Sequence, residues 1–375
     1  MNIEGQITGI KYKILLSEEL QTVEIEKFNI NKVPSCCLLR DGNTTFAISK
    51  WISPKRSRSY PYERVYNTLN GVKKITVIPI IKDEGFDGDR DFLQWDTVSL
   101  MSLLDVFVIL AYYDKAAKKS YFENKITDFQ FDNKYVVSKI KEIEQYHSSA
   151  LHWNLNELKN NLHDIVDKAK DSYAEIEKQT GVRLHNQEGI ENFKKKIGKN
   201  VSDFMEFSRE KAKKAQSREM VTRQPKENLS TKTKAKITIT NYLGGQYFFT
   251  VDEIVVDKNI VYLIESKHSK PTILPKKGDT CTLYEVHSIK DGLLKMILYS
   301  NLCEVEVNGT KMKSQAILKL TSPKIRGEIS SEIPVWERAG FLLNNDFSQK
   351  QIRFIDVLLD EAVENGFMLK IGGIK

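Results

Sequence analysis

Cysteine is scarce in this chain of 375 residues, with four in all. Cys36 and Cys37 are adjacent, Cys281 and Cys303 stand alone, and no CxxC or zinc-ligand spacing exists. Reduced thiols in a cytoplasmic setting are therefore the expectation. Long hydrophobic runs are missing too. The opening MNIEGQITGIKYK lacks the apolar core of a signal peptide. The most apolar stretch, 100–113, is too short to cross a bilayer and contains Asp105, so it reads as a buried helix or strand and no membrane partner is expected. There is no GxGxxG or Walker-type phosphate loop, and no serine or cysteine nucleophile in a recognisable local signature. Dinucleotide, nucleotide-triphosphate and acyl-enzyme chemistry thus have no footing here.

What is present is ordinary globular material, 41% hydrophobic and 29% charged, long enough for two or three domains. The net charge of +7 favours a polyanionic partner. That charge is concentrated: residues 194–236 hold 14 Lys/Arg against 5 Asp/Glu, an excess larger than that of the whole chain. Lys211, Lys213, Lys214 and Arg218 lie in this run, which is either a solvated face or a track for phosphates. A second basic stretch, SPKRSRSYPYER at 53–64, carries Lys55, Arg56, Arg58 and Arg64. It reads as a loop, again either solvated or able to reach phosphates and base edges. Asp87-Gly-Asp-Arg-Asp91 begins like a calcium loop, but Phe92 stands where glycine is needed and Val98 where glutamate is needed, so that reading fails.

Three consecutive regions are expected. Residues 1–130 form a mixed α/β region, with short strands at 37–39, 45–48 and 75–80 and a turn at Asp41-Gly42-Asn43. Residues 131–185 are helical, with an apolar seam at Leu151, Leu155, Leu158, Leu162, Ile165 and Ala169 and a stop at Gly181. His147, His152 and His163 there read as structural or surface residues. Residues 186–375 open with a helix over about 187–220, then a polar segment, 221–235. They end with a helix capped by Ser348 and Gln351, buried through Ile352, Ile355, Leu359, Ala362 and Val363, and closed by Gly366.

The chemistry is concentrated in QYFFTVDEIVVDKNIVYLIESKHSK, 246–270. Two arms, 248–256 and 260–267, are rich in β-branched, aromatic and aliphatic residues around a two-residue turn, Lys258-Asn259. With that turn, Asp257 faces Ile260 and Asp252 faces Glu265. Side chains alternate with period two, so Asp252, Glu265 and Lys267 share one face, with little else charged on it. Two carboxylates across a strand pair repel unless a cation sits between them, and oxygen ligands suit a hard divalent ion. A neighbouring lysine orients water beside that ion, which is the equipment of metal-assisted phosphodiester hydrolysis.

Asp252 followed by Glu265-Ser266-Lys267 resembles the D…(D/E)XK signature of the PD-(D/E)XK nuclease superfamily, although Val251 replaces the proline that names it. A strand at 236–240, a turn at 243–246, the hairpin, a helix at 284–301 and a strand at 314–320 follow the core order of that fold. HSIKDGLLKMILYSNL, within that helix, is similar to the corresponding helix of bacterial type II restriction endonucleases. On that helix the apolar stripe is Ile289, Leu293, Met296 and Ile297, with Lys290 and Lys295 off it.

The resemblance implies an α/β restriction-endonuclease-like core, a mixed sheet flanked by helices, with the N-terminal region supplying recognition or dimer contacts. It implies Mg2+ held by Asp252 and Glu265, Lys267 as the third catalytic residue, double-stranded DNA as substrate and products bearing a 5′-phosphate and a 3′-hydroxyl. A homodimer and a cognate DNA methyltransferase are the implied partners. Lys270 extends the basic set, and Glu206 or Glu210 on the preceding helix is a further acidic candidate. A repair or defence nuclease that cuts by structure, and a DNA-binding protein on a degenerate nuclease fold, are the alternative readings.

Overall fold

The computed structural model describes residues 1–55, 61–198, 201–221, 235–241, 243–268, 283–345 and 347–373. The chain divides into two compact units, 1–18 together with 211–375, and 19–210. This division cuts across the boundaries expected at 130 and 185. The helices of 131–185 pack with the strands that precede them, and the first 18 residues belong with the far end of the chain.

In chain order, β1 (Asn2–Ile7) comes first. The 19–210 unit follows: β2 (Thr22–Glu24), β3 (Cys36–Asp41), β4 (Thr44–Lys50), α1 (Pro61–Thr68), β5 (Lys73–Pro79), β6 (Ile81–Asp83), β7 (Arg90–Phe92), α2 (Trp95–Leu103), β8 (Val106–Ala111), β9 (Tyr113–Lys118), β10 (Ile126–Phe131), α3 (Asn133–Glu144), α4 (Ala150–Asn160), α5 (Leu162–Thr180) and α6 (Glu188–Lys196). Helix α7 (Val201–Val221) carries the chain onward. Then come β11 (Ala235–Asn241), β12 (Gln246–Val251), β13 (Glu253–Asp257), β14 (Ile260–His268), α8 (Leu283–Ser300), β15 (Cys303–Val307), β16 (Thr310–Lys311), β17 (Lys313–Thr321), β18 (Glu328–Ser330), α9 (Arg338–Asn344), α10 (Gln349–Glu364) and β19 (Met368–Gly372). The class is mixed α/β.

In the 19–210 unit a mixed sheet runs in the order β2-β3-β4-β5-β8. Its β3–β4 hairpin turns at Gly42, whose φ of +54° suits glycine. Phe46, Ile48, Ile75, Val77 and Ile109 bury one sheet face against Val136, Ile140, Ile143 and Trp153 of the helices. Strand β8 ends that sheet, and its free polar groups need partners. Trp153 Nε1 donates to Val108 O at 2.9 Å, and Asn154 bonds Val108 N at 2.7 Å and Val106 O at 3.0 Å. That duty reshapes the expected seam. On α4 the buried side is Ala150, Trp153, Asn154, Glu157 and Leu158, while Leu151 and Leu155 are only partly buried. On α5 Leu162, Ile165 and Ala169 are buried as expected, and Gly181 closes the helix at φ +64°. The apolar stretch at 100–113 is both of its alternatives, the end of α2 and then β8, turned at Asp105.

The other unit holds two five-stranded sheets, β12-β11-β1-β15-β16 and β13-β14-β17-β19-β18. In the first, β1 lies between β11, parallel to it, and β15, antiparallel to it. In the second, β14, β17 and β19 run parallel, with α8 as the crossover from β14 to β17. Helix α10 has the expected capping box, Gln351 N donating to Ser348 Oγ and Ser348 N to Gln351 Oε1. Its buried stripe is Gln351, Ile355, Leu358, Leu359 and Ala362; Val363 falls one step beyond that stripe and is 62% exposed, not buried.

Candidate functional site

Strands β13 and β14 pair from Asp257–Ile260 to Glu253–Ile264, the register expected from the turn. Lys258 takes a φ of +52° in that turn. One step further along the ladder brings Asp252 beside Glu265. The first arm is not a single strand, however. It breaks at Asp252, with β12 pairing to β11 and β13 to β14, so Asp252 occupies the bend where the chain leaves one sheet for the other. Its carboxylate ties the bend to β14: Oδ2 accepts from Ser266 N at 2.9 Å.

Glu265 is almost wholly buried, and one of its oxygens is crowded with donors. Lys267 Nζ donates to Oε1 at 2.9 Å, and Lys295 Nζ, from α8, donates to the same atom at 2.7 Å. The other oxygen, Oε2, is buried without a hydrogen-bond partner among the described residues. Asp291, one turn before Lys295, sets Oδ2 3.6 Å from Lys267 Nζ. Among the described residues the site therefore holds five charged side chains rather than three. Helix and strand each contribute a carboxylate and an ammonium, and each carboxylate faces the other element's lysine.

The electrostatics follow from burial and these pairs. Asp252 is pushed up to about 6 by burial and then by the charge of Glu265, with the Ser266 N–H opposing. Burial also disfavours the Glu265 anion, but Lys295 and Lys267 overcome it and hold the carboxyl at about 2. Burial lowers Lys267, and Glu265 and Asp291 more than restore it, so its pKa lies above the ordinary lysine value. Lys295 is likewise raised by Glu265 against the effect of burial. Burial raises Asp291.

Neither Asp291 nor Lys295 was legible as a site residue. A helix with one apolar stripe exposes its other side, but α8 is buried nearly all round, with Ile289, Lys290, Leu293, Leu294, Met296, Ile297, Leu298 and Tyr299 each at most 1% exposed. Lys290, expected off the stripe, is fully buried and ion-paired with Glu18 at 2.7 Å. Gly292 permits the close packing: a Cβ there would lie 2.9 Å from Leu318 Cδ1 and 3.3 Å from Lys267 Cε. The one signal in the chain was the DxxxK spacing of Asp291 and Lys295, which puts both on one helix face.

The donor set fits a hard divalent cation. Asp252 at the bend and Glu265 on β14 stand together, and Glu265 Oε2 is a buried anionic oxygen without a hydrogen-bond partner among the described residues. Among the described residues no group of three or more His, Cys, Asp or Glu side chains is arranged to hold a metal. Asp252 and Glu265 would thus leave further positions to backbone oxygen and water, as Mg2+ sites commonly do.

The basic candidates fall in different places. Lys213 and Lys214 are exposed on α7, and Lys213 Nζ lies 5.9 Å from the Phe248 ring centroid. Lys211 is exposed on the same helix, and Arg218 lies near its end. Glu206 and Glu210 are exposed on α7, at positions that belong to the 19–210 unit. In that unit Lys55 pairs with the buried carboxylate of Asp91. Arg64 lies on α1 rather than in a loop, and donates to Lys50 O at 2.7 Å. Arg56, Arg58 and Lys270 lie outside the described residues. No helix among the described residues is long and apolar enough to cross a membrane. No protein-family model, curated protein or solved structure matches the chain.

Proposed function

We propose that this protein is a magnesium-dependent endonuclease of double-stranded DNA with a PD-(D/E)XK core, a type II restriction enzyme. The observation that carries the reading is the buried Oε2 of Glu265, without a hydrogen-bond partner among the described residues, set beside Asp252 with two lysines on the other oxygen. The succession α7, β11, the bent β12–β13 arm, β14, α8 and β17 supports it, with the signature residues at the bend and at the end of β14.

Asp252 and Glu265 would hold the Mg2+, which when bound polarises the scissile phosphate and acidifies a water. Lys267, kept cationic between Glu265 and Asp291, orients that water for in-line attack. Lys295 and Lys267 keep Glu265 ionised, so the anionic oxygen is ready without a change of protonation. Asp252 ionises near pH 6 and completes the pair at neutral pH. The exposed lysines of α7, in the segment with the largest basic excess, track the DNA backbone. A homodimer would match a two-fold symmetric site, and a methyltransferase would protect that site in the host.

Digestion of unmodified plasmid and phage DNA with and without Mg2+, wild type beside Lys267→Ala, tests the reading. Discrete bands that require Mg2+ and vanish in the variant are expected. A smear, or cutting confined to branched substrates, would replace sequence recognition with structural recognition. Intact DNA across several substrates would leave a binding protein on a nuclease-like core.

A further inference from the structure

We propose that Lys295 is a second catalytic ammonium, contacting the scissile phosphate alongside Lys267; this rests on the nuclease reading above. The two lysines are close to equivalent. Both donate to the same atom, Glu265 Oε1, at 2.7 Å from Lys295 and 2.9 Å from Lys267, and their side chains are 17% and 19% exposed. They arrive from different elements, because the Gly292 contact draws α8 against Lys267 and Leu318 and Lys295 follows within the next helical turn.

Their remaining partners differ. Lys267 stands between two carboxylates, Glu265 and Asp291, whereas among the described residues Lys295 has an ion pair with Glu265 alone. Two ammoniums meet on one oxygen of Glu265, more than that carboxylate's own charge requires, with Asp252 and Asp291 adding negative charge nearby. An ammonium offers three donors, and Lys295 gives one of them to Glu265. A cation held by Glu265 takes up the charge that retains Lys295, and the attraction that remains, from Asp291, is shared with Lys267. Of the two, Lys295 is the ammonium without a second ion pair among the described residues, and so the one placed to turn to a phosphate.

Charge develops on the non-bridging oxygens and on O3′ as the water oxygen bonds to phosphorus. The P–O3′ bond breaks with its electron pair going to O3′, the water gives its proton to solvent, and O3′ takes a proton from solvent. Lys295 stays protonated throughout and donates hydrogen bonds to a non-bridging oxygen. A residue that only braced Glu265 would matter to cation binding, whereas this role matters to turnover.

The test compares Lys295→Met, Lys295→Gln and Lys295→Arg with wild type in the full chain. Mn2+ affinity is measured by electron paramagnetic resonance without DNA, plasmid cleavage under single-turnover conditions with Mg2+, and folding by thermal melting. Lys295→Gln keeps a donor for Glu265 Oε1 and guards against a misfolded Met variant. The expected result is Mn2+ affinity equal to or tighter than wild type, since a neighbouring positive charge is gone. Cleavage should fall about 100-fold, the scale of losing one donor to a developing oxyanion, and Lys295→Arg should recover part of it. Cleavage within about 3-fold of wild type in a folded variant overturns the proposal and leaves the nuclease reading intact. Loss of Mn2+ binding in step with cleavage also overturns it, reducing Lys295 to a support for Glu265. Wild type that binds Mn2+ but cuts no DNA removes the nuclease reading, and this proposal with it.

Discussion

Asp252 and Glu265 should respond in opposite directions to loss of their charge. Asp252 is held at about 6 rather than the ordinary 3.8, by burial and by Glu265, so at pH 7.5 its ionised form is carried at a cost. That displacement corresponds to about 3 kcal/mol. Asp252→Asn removes the cost and keeps an oxygen to accept from Ser266 N. Without divalent cation it should be stabilised, by up to that amount. Glu265 is held at about 2 rather than 4.5 by Lys295 and Lys267 acting against burial. Glu265→Gln leaves two buried ammoniums without the carboxylate that both contact, with Asp291 and Asp252 as remaining counter-charges, and breaking such a set costs about 3–5 kcal/mol. Urea unfolding at pH 7.5 in EDTA, followed by tryptophan fluorescence, measures both. Adding Mg2+ should then reverse the order of wild type and Asp252→Asn. Wild type gains about 4.1 kcal/mol at a thousandfold excess over Kd, and the variant gains little. Asp252→Asn less stable than wild type in EDTA would refute the argument, because Asp252 would then be a structural anion rather than a strained ligand.

Three further outcomes follow from the same geometry. Because a cation needs the Asp252 carboxylate ionised, divalent affinity measured by titration calorimetry should fall about tenfold per pH unit below about 6 and level off above it. Without cation, the sign for stability is the reverse between 3.8 and 6: the folded chain holds the proton there and the unfolded chain does not, so this group's contribution declines as pH rises. Gly292→Ala gains up to about 1 kcal/mol of helix propensity, but its Cβ would meet Leu318 and Lys267; single-turnover cleavage should slow while DNA affinity measured in Ca2+ holds. Ser348→Ala removes the hydroxyl from the α10 capping box and should cost about 1 kcal/mol in urea unfolding, with cleavage unchanged.

The hairpin was readable because its evidence is local. A two-residue turn fixes the pairing, period two fixes the faces, and the site of Asp252, Glu265 and Lys267 follows by counting. The break at Asp252 was not readable, since β-branched residues fill both sides of it and the change of sheet is decided by distant strands. Helix α8 misled for a related reason. Four apolar positions suggested a one-sided helix, whereas Leu294, Leu298 and Tyr299 bury its other sides, and the Tyr299 ring lies edge-on to Phe249 of β12. Once a helix is enclosed, its polar residues cease to mark solvent and mark buried partners instead, as Lys290, Asp291 and Lys295 do here. Arg64 was assigned to a loop because prolines and small polar residues surround it, but Pro61 opens α1, where a proline is well tolerated.

The position of β1 has a consequence for how the chain is made. Its residues are made before those of its neighbours β11 and β15, which are encoded from 235 and up to 307. The segment after it waits as well: Lys11 is bracketed by Asn301, Lys13 by Asn365, and Leu15 and Leu16 donate to Glu361. The 19–210 unit, by contrast, is continuous and complete long before the chain ends. Biosynthesis therefore reverses the order of the sequence, the second segment folding first while the leading strand stays unpaired. Protease pulses on ribosome-bound chains of increasing length should find 19–210 protected well before residues 1–18. Of the two units, the one that carries the carboxylates and lysines is then assembled second, once residues 235–372 have joined the waiting β1 segment.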